Sequence, residues 1–367
     1  MSKPVLLIKT GGTIRQKPNE KGALEPISDD YLELWPHLKE IADVRDLGSI
    51  DSTNMETNLV YTNPTQGEKL VDRSKLARAI YDNAFNYEGF VVVHGTDTMA
   101  ETAAALTYML HGLGKPIIMT GSQRSAWARR TDAPNNIEAA IQAATMDIGE
   151  VAIAFGNWLL RGPKAIKVDE EGYDAFATPG TEPLAKITSL EEGIGRLAPH
   201  TVPRKPGDVR LFTDFDTRVF HYGHVSGATV DEDLMKIAES EYNHGIILTG
   251  FGAGNLPSRM LPFIKAAYER EKPVYVVTRS STGAADMGIY QVGLAAVEMG
   301  AQPAGDMTLE AVGQKLMYAL GRAQAENRTG DSRLNYINNI MKTSYNGDIT
   351  ILNARTSVQP MRKLMVS

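Results

Sequence analysis

Two stretches decide the fold: Val5-Leu6-Leu7-Ile8-Lys9-Thr10-Gly11-Gly12-Thr13-Ile14 and Phe90-Val91-Val92-Val93-His94-Gly95-Thr96-Asp97-Thr98-Met99. Each opens on an unbroken apolar run and closes on a turn rich in glycine and threonine. Apolar runs without polar alternation read as strands buried on both faces, the habit of parallel sheets. In open α/β sheets ligands bind beyond the carboxyl ends of the strands. Two hydroxyl-bearing turns at two such ends predict one shared polar site.

Working outward, strand and helix patterns alternate. Strands are expected at 5–10, 90–95, 116–120 and 151–155, with helices over 66–84, 99–113 and 136–146. This alternation predicts a mostly parallel, doubly wound sheet with helices on both faces. Patterning fades over 196–216, where Pro199, Pro203, Pro206 and Gly207 punctuate a basic stretch. A second alternating set follows, with strands at 219–222, 246–249 and 274–278 and helices at 231–242, 258–271, 290–299 and 308–325. The expected organisation is an N-terminal α/β domain over 1–195, a linker over 196–216, a smaller C-terminal α/β domain over 217–325, and a tail over 326–367 without an assigned role.

A length of 367 residues with 43% apolar and 22% charged residues suits a globular protein able to bury its own core. The net charge of −6 argues against a nucleic-acid partner. The absence of cysteine removes disulfides, thiolate metal sites and a cysteine nucleophile. No signal peptide or membrane-length apolar run is read, so a cytoplasmic location without membrane attachment is expected. Asn327-Arg328-Thr329 is read as a chance sequon.

Each candidate residue also has a plain structural reading. Thr13 follows two glycines that permit close backbone approach to a ligand, although spacing alone favours an ordinary turn. Thr98 reads as a helix N-cap, with Glu101 completing a capping box. Thr96 and Asp97 then stand at a helix N-terminus, where backbone N–H groups stabilise an oxyanion and Asp97 can bind an ammonium. Lys164 and Lys167 are both candidates for a base, provided burial or nearby charge depresses the amine. Asp51, Ser52 and Thr53 are possible ligands for a small zwitterion, and Ser122 ends another strand. Gly250-Phe251-Gly252-Ala253-Gly254-Asn255 has the wrong glycine spacing for a dinucleotide loop. His221 and His224 are too isolated to argue for a metal.

The two threonine segments resemble the signature segments of the bacterial-type L-asparaginases, the cytoplasmic type I group included. The resemblance covers about residues 4 to 325. Further matching stretches are Gly121-Ser122-Gln123, Asp174-Ala175-Phe176, Gly252-Ala253-Gly254-Asn255 and Ala304-Gly305-Asp306-Met307-Thr308. It implies hydrolysis of the asparagine side-chain amide to aspartate and ammonia, with Thr13 carrying the acyl group. Thr96, Asp97 and Lys167 match the second catalytic group, Asp51, Ser52 and Thr53 the segment gripping the α-carboxylate and α-ammonium, and Ser122 a residue facing the amide. It implies no cofactor and no metal, and a homodimer or homotetramer. Which threonine attacks first is left open.

The chain departs from the family pattern in one loop. Many members carry a tyrosine after the first signature, whereas Lys21-Gly22-Ala23-Leu24-Glu25-Pro26 has none, and Tyr31 lies further on. Asp286 and Asn255 are weak candidates for a contribution across subunits. The competing readings are a glutaminase-asparaginase, an asparaginase-like component of an amidotransferase (disfavoured because the signature begins at residue 10), and an inactive amino-acid sensor.

Overall fold

The computed structural model describes residues 4–18, 24–26, 31–50, 71–188, 193–227 and 231–350. These form two compact units, the first ending at Thr213 and the second beginning at Asp214. In the first unit the strands are β1 (Val5–Lys9), β2 (Gln16–Pro18), β3 (Leu24–Pro26), β4 (Val44–Ser49), β5 (Gly89–Val93), β6 (Ile117–Thr120), β7 (Val151–Phe155), β8 (Trp158–Arg161), β9 (Ile166–Lys167), β10 (Phe176–Ala177) and β11 (Ala185–Lys186). Its helices are α1 (Tyr31–Leu34), α2 (Leu38–Ile41), α3 (Val71–Asp82), α4 (Met99–Met109) and α5 (Ala133–Thr145).

Seven strands form one sheet in the order β11-β8-β7-β6-β5-β1-β4. β4, β1, β5, β6 and β7 run parallel, while β8 and β11 pair antiparallel at one edge. The chain lays β4 on one side of β1 and then winds back to place β5, β6 and β7 on the other. The winding therefore reverses between β1 and β5, the crevice position at which open α/β sheets bind ligands. Every residue of β1 and β5 is buried, as the unbroken apolar runs require. Lys9 pairs with Val93 and Val93 with Thr120, so β1, β5 and β6 end level.

Helix α4 is buried all round except at Glu101. It packs on β7 and on the 3-10 turn Gly162–Lys164. Its alanines allow this close packing: a Cβ on Gly162 would lie 3.1 Å from that of Ala103 and 2.8 Å from the Val151 carbonyl. Arg161, at the end of β8, pairs with Glu150 at 2.6 Å with both side chains buried, and donates to the His200 carbonyl. The turn after β8 thus packs on α4 and leads to Lys167.

The second unit holds a parallel sheet in sequential order: β12 (Val219–Gly223), β13 (Gly245–Gly250), β14 (Val274–Thr278) and β15 (Ala301–Pro303). Its helices are α6 (Asp231–Glu239), α7 (Leu261–Glu269), α8 (Gln291–Glu298), α9 (Leu309–Ala325) and α10 (Gly330–Lys342). α10 lies within 326–367; it buries Leu334, Ile337, Ile340 and Met341 and packs along α9. Beyond it, Asp348 forms a fully buried ion pair with Lys315 of α9 at 2.7 Å, which pins the following segment. No described helix is long and apolar enough to cross a membrane.

Candidate active site

The first turn leaves β1 with Thr10 bound twice to the end of β5: its N–H and its hydroxyl both donate to the Val93 carbonyl, at 2.9 and 3.1 Å. Gly12 then runs against the second turn. A Cβ on Gly12 would lie 2.6 Å from Gly95 Cα and 2.7 Å from Gly95 N, and Gly12 has φ of +96°. Only glycine satisfies both the conformation and the approach. This backbone contact sets Thr13, the next residue, and Thr96, which follows Gly95, on adjacent turns. Gly121, after β6, abuts the His94 carbonyl in the same manner, so three strand ends meet there.

Thr96 is buried and Thr13 partly so. Lys167, at the end of β9, donates to Thr96 Oγ1 at 3.0 Å and to Asp97 Oδ1 at 2.7 Å. The two lysines that the sequence left open are thereby separated. Lys164 is fully buried in the turn on α4, and Lys167 reaches both signature residues. Lys167 also pairs with Glu170 at 2.7 Å. Burial alone would lower its pKa, but hydrogen bonds and charge from Asp97 and Glu170 outweigh burial and hold the ammonium above the usual lysine range. The expected depressed amine is therefore corrected: in the free protein Lys167 is charged, because two carboxylates share it.

His94 is wholly buried. Its Nδ1–H donates to the Gly95 carbonyl at 2.7 Å, and Nε2 has no hydrogen-bond partner among the described residues. Burial pushes its pKa down to about 4, against the Gly95 hydrogen bond and with help from Arg73. A histidine depressed in the folded state destabilises it as pH falls from the unfolded value, about 6.5, toward 4. We expect stability to drop by about 3 kcal/mol over that window through this group. Urea melts from pH 7 to 4 check it; His94→Gln should flatten the slope relative to wild type.

Thr98 occupies the N-cap of α4 but makes no capping hydrogen bond with its side chain, which corrects the expected capping box. Its backbone (φ −114°, ψ 14°) lacks the extended conformation that aims a cap hydroxyl at the first turn. Ser122 is buried, and its hydroxyl donates to the Arg124 carbonyl, so its proton is committed within its own loop. Tyr31 is a core residue, fully buried and stacked on Trp35 with ring centroids 5.8 Å apart. Asp51, Ser52 and Thr53, and residues 21–23 of the first loop, lie outside the described residues. In the second unit Asp286 accepts from the Gly288 N–H, and Asn255 closes a tight turn with Phe251.

Several supporting residues escaped the sequence reading. Asp132 accepts from the N–H groups of Gln123 and Arg124 and from Asn136 Nδ2. Asn136 donates to the Gly121 carbonyl and accepts from the Gly156 N–H. Together they hold the loop after β6. Gln123 Nε2 in turn donates to the carbonyls of Asp169, Glu170 and Gly172, at 3.4, 2.9 and 3.1 Å. Asp132 and Asn136 stand one turn apart at the start of α5, a pattern of N-terminal signals that a proline at the second helical position obscures.

Comparison with known proteins decides the family. Residues 4–194 match the family model "Asparaginase, N-terminal", and residues 225–330 match "Glutaminase/Asparaginase C-terminal domain". The chain belongs to the asparaginase family of enzymes. Within this family it is 31% identical to the L-asparaginase of Thermococcus kodakarensis, over 94% of this chain and 99% of that protein. It is 34% identical to L-asparaginase 1 of Escherichia coli K12, over 87% and 92%. It is 32% identical to a glutamyl-tRNA(Gln) amidotransferase subunit from Aeropyrum pernix, over 87% of this chain and 75% of that protein. The solved structure of the thermostable Thermococcus kodakarensis L-asparaginase superposes with a TM-score of 0.78, covering 95% of this chain and 99% of that one. The family likeness thus spans both α/β units.

Proposed function

We propose that this asparaginase-family chain hydrolyses the side-chain amide of L-asparagine to L-aspartate and ammonia through a threonine ester. The observation that carries this reading is the cluster of Thr96, Asp97 and Lys167 within hydrogen-bond reach, with Thr96 and Asp97 on a turn packed directly against the one bearing Thr13. A threonine hydroxyl is a poor nucleophile until a base takes its proton. In the proposed reaction Thr13 Oγ attacks the amide carbon, its hydroxyl proton passes by way of the base to the departing nitrogen, and the C–N bond breaks to release ammonia. Water then attacks the ester, releasing aspartate and restoring the hydroxyl. Lys167 accepts or relays the proton from Thr96. Asp97 binds the substrate α-ammonium, which weakens its hold on Lys167 and moves that amine toward its neutral, basic form. Asp51, Ser52 and Thr53 hold the zwitterion, and Ser122 lines the amide side of the pocket. The proposed location is the cytoplasm, and the proposed assembly is a homodimer or homotetramer.

A second reading has a specific observation behind it: the 32% identity to the amidotransferase subunit lies between the 31% and 34% identities to the two L-asparaginases. That reading makes ammonia release depend on a partner protein. Steady-state ammonia release from asparagine and from glutamine, by the purified chain alone, separates the two. We expect turnover with asparagine to exceed that with glutamine. One extra methylene is worth about 1–3 kcal/mol of discrimination, roughly 10- to 200-fold. Release that needs an added partner, or that favours glutamine, would remove the first reading.

A further inference from the structure

We propose that Glu170 is a positioning residue for Lys167, holding its ammonium jointly with Asp97 and setting the pH at which Lys167 becomes available as a base. This rests on the role given to Lys167 above and adds to it a residue that none of the matched signature segments contains. The Lys167 Nζ to Glu170 Oε2 distance equals that to Asp97 Oδ1, 2.7 Å. The Glu170 side chain is 77% exposed, and an exposed carboxylate three residues from a lysine is by default a weak surface partner. Here the backbone beneath it is built to deliver it.

Three tethers hold that backbone. Gln123 gathers the carbonyls of Asp169, Glu170 and Gly172 from across the crevice. Asp169 turns its own carboxylate inward to accept the N–H groups of Glu171 and Gly172 at 2.9 Å each. Those bonds hold the Asp169 carboxyl below the usual carboxylate range and occupy it, so it does not compete for Lys167. Tyr173 then donates to the Arg130 carbonyl at 2.6 Å, closing the far end of the loop. The loop so fixed carries one carboxylate to the amine. The charged groups bearing on Lys167 are Asp97 and Glu170; burial, outweighing Arg73, holds the nearby Glu101 carboxyl above the usual range, with help from Asp97.

When the substrate ammonium engages Asp97, Glu170 remains as the second anchor. It restrains deprotonation and keeps Nζ aimed at Thr96. Removing its charge should make Lys167 lose its proton at lower pH. The test is a titration of the Lys167 side chain by 13C NMR in the whole free protein, assigned with Lys167→Arg, for wild type and Glu170→Gln. We expect the midpoint to fall by about half a unit to one unit in Glu170→Gln, the range of a partly exposed ion pair. The acid limb of kcat/KM for asparagine should move down with it. An unchanged midpoint overturns the proposal, and so does a shifted midpoint with an unmoved acid limb. A shifted midpoint in a wild-type protein that releases no ammonia sinks the hydrolase reading instead and leaves the hold of Glu170 on Lys167 standing.

Discussion

Thr96→Ala should lower ammonia release from asparagine by about 10⁴-fold or more while leaving the fold intact, the scale seen when one member of a nucleophile–base unit is removed. Thr96 is buried, and its hydroxyl accepts the Lys167 ammonium at 3.0 Å, so alanine leaves Lys167 with its two carboxylates and nothing to activate. α4 behind it is buried nearly all round, which is why folding should survive the loss of one hydroxyl. Lys167→Met keeps most of the stem and removes the amine, and should disable turnover to a similar degree. Because the two act as one unit, the double variant should be little worse than either single one. Parallel kinetics and circular dichroism check this. Near-wild-type turnover by Thr96→Ala would reject the role assigned to it.

Gly12→Ala should damage both the fold and the site. The new Cβ would stand 2.6 Å from Gly95 Cα, and the obstacle is backbone on both sides, so no side-chain rotation relieves it. The φ of +96° adds strain for any L side chain. Overpacking and strain together cost about 4 kcal/mol. The remedy open to the chain is to part the two turns, which moves Thr13 away from Thr96. We therefore expect activity to fall by several orders of magnitude even where the variant still folds, since small misplacements at a reacting centre cost about 10²-fold and more. Denaturant melts and residual kcat/KM measure the two effects separately. Gly48→Ala is the control, because it also has positive φ (+90°) but no atom of the described residues within 4 Å of the added Cβ; it should show strain without loss of turnover.

The parallel strands were legible because a strand buried on both faces leaves an unbroken apolar run, and β1, β5 and β7 each have one. β8 was not legible: Gly156-Asn157 makes a two-residue turn, and Trp158–Arg161 is too short and mixed to announce a strand. α5 begins three residues ahead of the expected start because Pro134 lies in its first turn, where proline is tolerated. α10 does carry apolar residues at helical spacing, but three asparagines and its place beyond the matching segments concealed it.

The site was legible in part. The turn chemistry marked Thr13, Thr96 and Asp97; composition left Lys164 and Lys167 open, and only the family resemblance pointed to Lys167. That choice is made by the packing of Gly162 on Ala103, which buries the first lysine and sends the second to Thr96. Glu170 left no trace in the pattern, since an exposed acidic run reads as solvated surface, and the Gln123 and Asp169 bonds that aim it are visible only in three dimensions.

The most direct test of the account is a rapid acid quench of the protein during asparagine turnover, followed by peptide mapping. The account predicts an aspartyl ester on the peptide containing Thr13, absent from Thr13→Ala. Sustained ammonia release with Thr13 never acylated would contradict it.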